Sequence, residues 1–190
     1  MLLHTCCATC ALPIIEYLLK EEKVKDITLY FYNPNIYPKE EYDKRLKDLE
    51  RIAKIYKLKF VNGGYKHNEW LEYIKKSLPQ LPEEYLENRE RCLSCFRFRL
   101  EKTVEFAKKN NFNEFNTTLS VNRFKNVDYI NKYAQELAEK HQLIYKTFNL
   151  DPNKAYKLGL QLTKKYGLYR QKYCGCEFSM IYYIQKDGVG

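Results

Sequence analysis

Seven cysteines fall in three short groups: Cys6, Cys7 and Cys10 in HTCCATC, Cys92 and Cys95 in RCLSCFRFRL, Cys174 and Cys176 in KYCGCEFS. Two groups contain a CxxC pair and the third is a CxC. Such spacings let neighbouring thiolates converge on one metal without straining the backbone. The chemistry they suit is that of an iron–sulfur or zinc centre. The N-terminus MLLHTCC lacks the basic region and long apolar stretch of a signal peptide, and no run of some twenty apolar residues predicts a membrane span. The expected compartment is therefore the cytoplasm, where an odd number of cysteines argues for ligands and against a disulfide framework.

A cubane cluster takes four thiolates, so seven cysteines divide naturally as four plus three. The two CxxC pairs, Cys7 with Cys10 and Cys92 with Cys95, are the expected ligands of a [4Fe-4S] cluster. Cys6, Cys174 and Cys176 are then left for a second, mononuclear metal with an open coordination position. This division assumes that adjacent Cys6 and Cys7 point apart. A competing reading is one zinc held by four thiolates, which also fits paired CxxC motifs. It leaves three cysteines idle, and a domain with this many apolar strands needs no such staple. His4, beside the first group, is expected to be a core histidine satisfying a backbone carbonyl rather than a ligand. No GxGxxG follows a strand and no Walker loop occurs, so neither a nicotinamide nor a P-loop nucleotide is indicated. Electrons must come from an external donor.

The chain alternates strand and helix, and 190 residues predict a single α/β domain over 1–190. Leu2–Thr5 reads as a buried strand, followed by a helix in ALPIIEYLLKEEK with Pro13 in its first turn. DITLYFY from Asp26 is the second strand and ends in the turn NPNIYP. A long helix follows, with Tyr42, Leu46, Leu49, Ala53 and Tyr56 on one face. KFVNGG is the third strand. Helices are expected at Trp70–Lys76, Cys95–Lys109, Val127–His141 and Lys154–Tyr166, strands at Phe115–Val121 and Leu143–Phe148, and a last apolar stretch at MIYYI. Five strands alternating with helices predict a mostly parallel, Rossmann-like sheet covered on both faces. Ligands of such sheets bind beyond the carboxyl ends of the strands, which is where Cys6–Cys10, NPNIYP and Ser120–Asn126 fall. The cysteine loops are thus expected at the C-terminal edge of the sheet, around one crevice.

Lys and Arg outnumber Asp and Glu by 33 to 24, a net charge of +9. That balance suits a nucleic-acid partner, and aromatics stack on unpaired bases, although most of the 18 Tyr and 10 Phe are expected in the core. A lysine-rich solvated surface would give the same charge.

At LLHTCCATC (2–10), FYNPNIYPKEEYDKR (31–45), RCLSCFRFRLEKT (91–103), TTLSVNRFKN (117–126) and GLYRQKYCGCEFS (167–179), the chain resembles the epoxyqueuosine reductase family QueH, the iron–sulfur, cobalamin-independent type. Thr9 stands where the family commonly has Pro, Tyr37 where it has His and Phe96 where Tyr is frequent. Members can carry Asp at the position of Cys10. The resemblance implies reduction of epoxyqueuosine to queuosine at the wobble position of tRNA, the last step of queuosine synthesis. A thiolate-bound metal, expected to be iron, would polarise the epoxide oxygen, and the cluster would deliver electrons. Cys6, Cys174 and Cys176 would be the catalytic ligands, with Tyr173, Lys125 and His4 as possible proton donors. The partner would be a tRNA anticodon stem-loop carrying epoxyqueuosine, with no membrane involved. Asn33, Asn35, Tyr42, Arg45, Arg99, Lys125, Asn126 and Arg170, in or near the matched motifs, are the substrate-binding candidates, with Lys172 as a further phosphate contact. Arg45 and Arg99 could equally form helix-surface ion pairs with Glu41 and Glu101. Two other functions compete: a non-catalytic, zinc-stabilised RNA-binding module, and a tRNA-thiolating enzyme. The latter needs an SGGxD loop where HTCCATC stands.

Overall fold

A computed structural model describes residues 1–181. The two most apolar strands, β1 (Leu2–His4) and β2 (Thr28–Phe31), are buried at every residue. That is the pattern of strands covered on both faces. They form the centre of a five-stranded sheet with β3 (Lys59–Asn62), β4 (Glu114–Thr117) and β5 (Ile144–Tyr145), in the order β3-β2-β1-β4-β5. Every neighbouring pair is parallel.

Alternate strand residues feed two cores. Leu3, Leu29 and Phe31 pack under α1 (Ala8–Lys20), α2 (Lys39–Ile55) and α6 (Pro152–Lys165). Leu2, Tyr30 and Phe115 pack under α3 (His67–Ser77), α4 (Glu90–Lys109) and α5 (Val127–His141). No helix among the described residues is long and apolar enough to cross a membrane.

Several boundaries depart from expectation for identifiable reasons. Strand β4 stops at Thr117, whose hydroxyl accepts from the Leu119 amide (3.2 Å) and starts a single 3-10 turn, Thr118–Val121. A local side-chain bond thereby competes with the ladder. Strand β5 is only two residues long; beyond it the Asn116 side chain, not a backbone strand, bonds the Lys146 carbonyl. Helix α4 starts at Glu90, so Cys92 and Cys95 both lie on it, one turn apart. A helical segment begins at 177–181, and residues 182–184 of the apolar stretch MIYYI lie outside the described residues.

Helix α1 begins at Ala8, so Pro13 is its sixth residue and not in its first turn. Proline has no N–H for the carbonyl four residues earlier, here that of Thr9. Gly159 of α6 comes up against that same carbonyl: a Cβ on Gly159 would sit 2.4 Å from Thr9 O. The Thr9 and Thr163 hydroxyls bond across the crossing at 3.0 Å. Gly159→Ala should therefore cost about 1–3 kcal/mol through overpacking against backbone. The thermal unfolding midpoint checks this; an unchanged midpoint would show that the helices slide apart freely.

Candidate metal centre

In the order β3-β2-β1-β4-β5 the connections leave in opposite directions from β1 and β4, and the crevice outside their carboxyl ends is the usual ligand position. The chain places Cys6, Cys7 and Cys10 there, two residues past the end of β1. Across the gap, Thr118 follows β4; its hydroxyl accepts from the Cys6 amide at 3.1 Å and donates towards Cys6 Sγ at 3.4 Å.

Cys7 is the N-cap of α1, with extended backbone (φ −169°, ψ 164°), and Cys10 is the third helical residue. The Cys7 side chain makes no capping hydrogen bond, and its sulfur lies beside that of Cys10 over the first turn. The extended cap also brings Cys6 alongside. The three sulfurs lie within 4.8 Å of one another, and the Cys6 and Cys7 sulfurs are 3.8 Å apart. Adjacent cysteines were expected to diverge; these converge. Metal–sulfur bonds of about 2.3 Å in a tetrahedron place sulfurs about 3.8 Å apart. The donor set therefore fits one metal, and the division that separated Cys6 from Cys7 and Cys10 does not match this geometry.

The remaining four cysteines act on one another. Burial, then the charge of Cys174 and then that of Cys95, raise Cys92 to about 12. Burial raises Cys95 to about 11, against the pull of Arg99 and with help from Cys176 and Cys174. Burial and Cys174 raise Cys176 to about 12. Within the first group, hydrogen bonds from Cys10 and Cys7 hold Cys6 well below the ordinary thiol value. The bond from Cys10 pulls Cys7 down, but the Cys6 thiolate and burial push it up to about 12. Bonds to Cys6 and Cys7, with burial, raise Cys10 well above the usual range. The metal-free group is thus one thiolate beside two thiols, and a metal must displace their protons.

Both groups face one cavity of about 670 Å³, lined by Cys6, Cys7, Cys10, Cys92 and Cys174. Polar groups aim at the sulfurs: Gln171 Nε2 lies 2.9 Å from Cys7 Sγ, Asn122 Nδ2 3.7 Å from Cys10 Sγ, and the Asn88 amide 3.2 Å from Cys92 Sγ. Sequence reasoning singled out none of these three, nor Thr118. Gln171, Asn122 and Thr118 lie inside matched motifs, and Asn88 just outside one, at a positive φ of 65°.

The substrate-binding candidates separate by burial. Asn33, Asn35, Tyr42, Arg45 and Arg99 are at most 3% exposed. Asn33 donates to the Thr5 carbonyl (2.8 Å) and accepts from Arg99 (2.5 Å). Tyr42 donates to Asn62 (2.8 Å) under α2. Arg45 pairs with Glu41 at 2.7 Å and donates to the carbonyls of Cys174 (2.9 Å) and Tyr173 (3.1 Å). These side chains are buried behind the site, and the Arg45–Glu41 pair is buried rather than a surface pair. Arg45 still forms part of the cavity wall, as do half-buried Lys125 and exposed Arg170 and Lys172. Asn126 is exposed and caps α5, accepting from the Tyr129 amide at 3.0 Å.

Gly175, between the last two cysteines, has φ +143°, and a Cβ there would lie 3.2 Å from both Arg45 Nη1 and Ile36 Cγ1. The CxC therefore needs glycine at its centre to lie flat on Arg45. His4 is fully buried, bonded through Nδ1 to Thr117 (2.8 Å) and through Nε2 to the Tyr32 carbonyl (3.1 Å). Burial, then Arg99, lower it to about 3. It is a core histidine, as its position suggested.

The family model described as "Epoxyqueuosine reductase QueH" matches residues 1–181. Proteins of that name resemble the chain along most of its length. The one from Haemophilus influenzae is 34% identical over 95% of this chain and 71% of its own. The Thermotoga maritima protein is 34% identical over 95% of this chain and 90% of its own. The Staphylococcus epidermidis protein is 31% identical over the whole chain and 78% of its own. With its three cysteine groups opening on one cavity and a match running from the first residue to residue 181, this chain belongs to the epoxyqueuosine reductase QueH family.

Proposed function

We propose that the chain reduces the epoxide of epoxyqueuosine at the wobble position of tRNA to the cyclopentene of queuosine. The observation that carries this reading is the convergence of Cys6, Cys7 and Cys10 in a cavity that Cys92 and Cys174 also line. Seven thiols then form a set of three and a set of four. Cys6, Cys7 and Cys10 hold a mononuclear metal, and Cys92, Cys95, Cys174 and Cys176 hold a [4Fe-4S] cluster. When bound, the cluster supplies electrons singly and the mononuclear iron a Lewis acid for the epoxide oxygen.

The balance is simple: two electrons and two protons enter, and the epoxide oxygen leaves as water. The electrons come from an external donor. The chain's own residues hold and neutralise. Thr118, Asn122 and Gln171 donate towards the sulfurs of the first group. Burial opposes the charge on Lys125, but the neighbouring sulfurs of Cys174, Cys6 and Cys10 outweigh it and keep the side chain cationic. Of the possible proton donors, His4 has both ring nitrogens engaged, and the Tyr173 hydroxyl bonds the Tyr37 carbonyl. Lys125 and Tyr173 both line the cavity, and of the two Lys125 is the cation.

The test is direct. Anaerobically reconstituted protein is incubated with tRNA carrying epoxyqueuosine and a low-potential reductant, and the nucleosides are read by mass spectrometry. Loss of one oxygen atom is the expected result. Fully metal-loaded protein that converts nothing overturns the reading. A colourless protein containing only zinc would support the RNA-binding module instead.

A further inference from the structure

Beside the cavity mouth, the turn 122–126 carries an aromatic side chain in the open. Phe124 is 57% exposed, yet its backbone is pinned at both ends by side chains. Its amide donates to Asn122 Oδ1 at 2.9 Å, and its carbonyl accepts from Asn88 Nδ2 at 2.8 Å. Each of those asparagines also reaches a cysteine: Asn122 through its amide nitrogen to Cys10, Asn88 through its backbone N–H to Cys92. An apolar ring held at a fixed place relative to both cysteine groups is not an incidental exposed residue.

The ring is not alone. The Arg123 guanidinium lies 4.6 Å from the Phe124 ring centre and 4.5 Å from that of Tyr156 on α6. The two rings meet edge to face, 5.7 Å apart at 88°. Arg123 is anchored by Asn153 Oδ1 at 3.1 Å. Phe124 and Tyr156 both line the metal cavity, and Phe124 also lines an adjoining open hollow of about 510 Å³. That hollow carries Arg89, Arg123 and Lys125 against one acid, Glu87. A fixed aromatic face, a planar cation laid against it and a basic hollow alongside match what an unpaired nucleotide offers: a π-face and a phosphate.

We propose that Phe124, backed by Arg123 and Tyr156, is a stacking platform for an unpaired base next to the nucleotide held in the cavity, with Arg89 and Arg123 taking its phosphate. This rests on the reading that the substrate is tRNA. It adds a binding subsite outside the cysteine cavity and fixes the direction in which the RNA strand leaves it.

The experiment uses metal-loaded protein and a labelled anticodon stem-loop carrying epoxyqueuosine, with affinity read by fluorescence anisotropy. Phe124→Ala should weaken binding about tenfold, the scale of one lost base–aromatic stack. Phe124→Trp should restore it and Phe124→Leu should not. In wild-type protein, removing the base on one side of the modified nucleotide should cost a similar factor, and that loss should vanish in Phe124→Ala. Iron content of each variant should equal wild type; if Phe124→Ala loads poorly, Arg123→Ala should still show weaker binding and a shallower salt dependence. Wild-type protein that converts no epoxyqueuosine tRNA sinks the functional reading. Wild-type protein that converts it, beside a Phe124→Ala variant of unchanged affinity, sinks the platform alone. Unchanged RNA affinity with slower reduction by a protein electron donor would mark a protein-docking patch and equally overturn it.

Discussion

Cys95→Ala and Cys176→Ala are each expected to abolish the visible absorbance of the anaerobically reconstituted cluster, together with turnover. Cys6→Ala is expected to abolish turnover while leaving that absorbance largely intact. The contrast follows from which sulfurs meet. Cys92 and Cys95 lie one turn apart on α4, and Cys92 and Cys174 line one cavity. The first group is closed on itself, its sulfurs within 4.8 Å of one another. A cubane with three thiolates is labile, whereas a mononuclear metal losing one ligand leaves its neighbour's ligand set complete. The measurement is the absorbance spectrum with iron per chain for each variant. Bleaching in Cys7→Ala beside retention in Cys176→Ala would return the two CxxC pairs to a single cluster.

The strand and helix order was legible because its signals are strong ones. All-buried β1 and β2 read as apolar runs, and α2 and most of α4 read as helices from their periodicity. That the first cysteine group follows a strand end was legible too, because parallel sheets send their carboxyl ends to one side. The pairing of sulfurs was not. It depends on the extended backbone of Cys7 at a helix cap, a two-residue detail that spacing does not encode. Exposure was the other blind spot. Motif membership nominated Asn33, Tyr42, Arg45 and Arg99 as substrate contacts, yet their partners are through-space ones: Thr5 for Asn33, Asn62 for Tyr42, Cys174 for Arg45. Matched basic residues can be there to neutralise buried thiolates. Arg99 lowers Cys95 and Arg45 lowers Cys7, each as a secondary influence. The sequence alone does not distinguish such a residue from one that meets phosphate.

The second large effect is expected at Arg45. Its guanidinium is 3% exposed and meets Glu41, whose side chain is 6% exposed, at 2.7 Å. Glu41 takes a further hydrogen bond from the Tyr169 hydroxyl at 2.7 Å. The other face of Arg45 holds the carbonyls of Tyr173 and Cys174, and so the backbone that presents the CxC. Burial works against the charge on Arg45, but the nearby Cys7 sulfur and Glu41 outweigh it, so its pKa stays above the ordinary value. Arg45→Ala would leave Glu41 buried with only a tyrosine for company and two carbonyls without donors. Breaking a buried pair on one side typically costs about 3–5 kcal/mol. The variant should therefore melt well below wild type and lose iron from the Cys174 and Cys176 side first. Arg45→Met combined with Glu41→Gln removes the stranded charge and should recover much of the stability, but not the iron, because the loop carbonyls remain unheld. Thermal midpoints and iron per chain decide between the two contributions. If Arg45→Ala matches wild type in both, the pair is neither a structural anchor nor the support of the CxC loop.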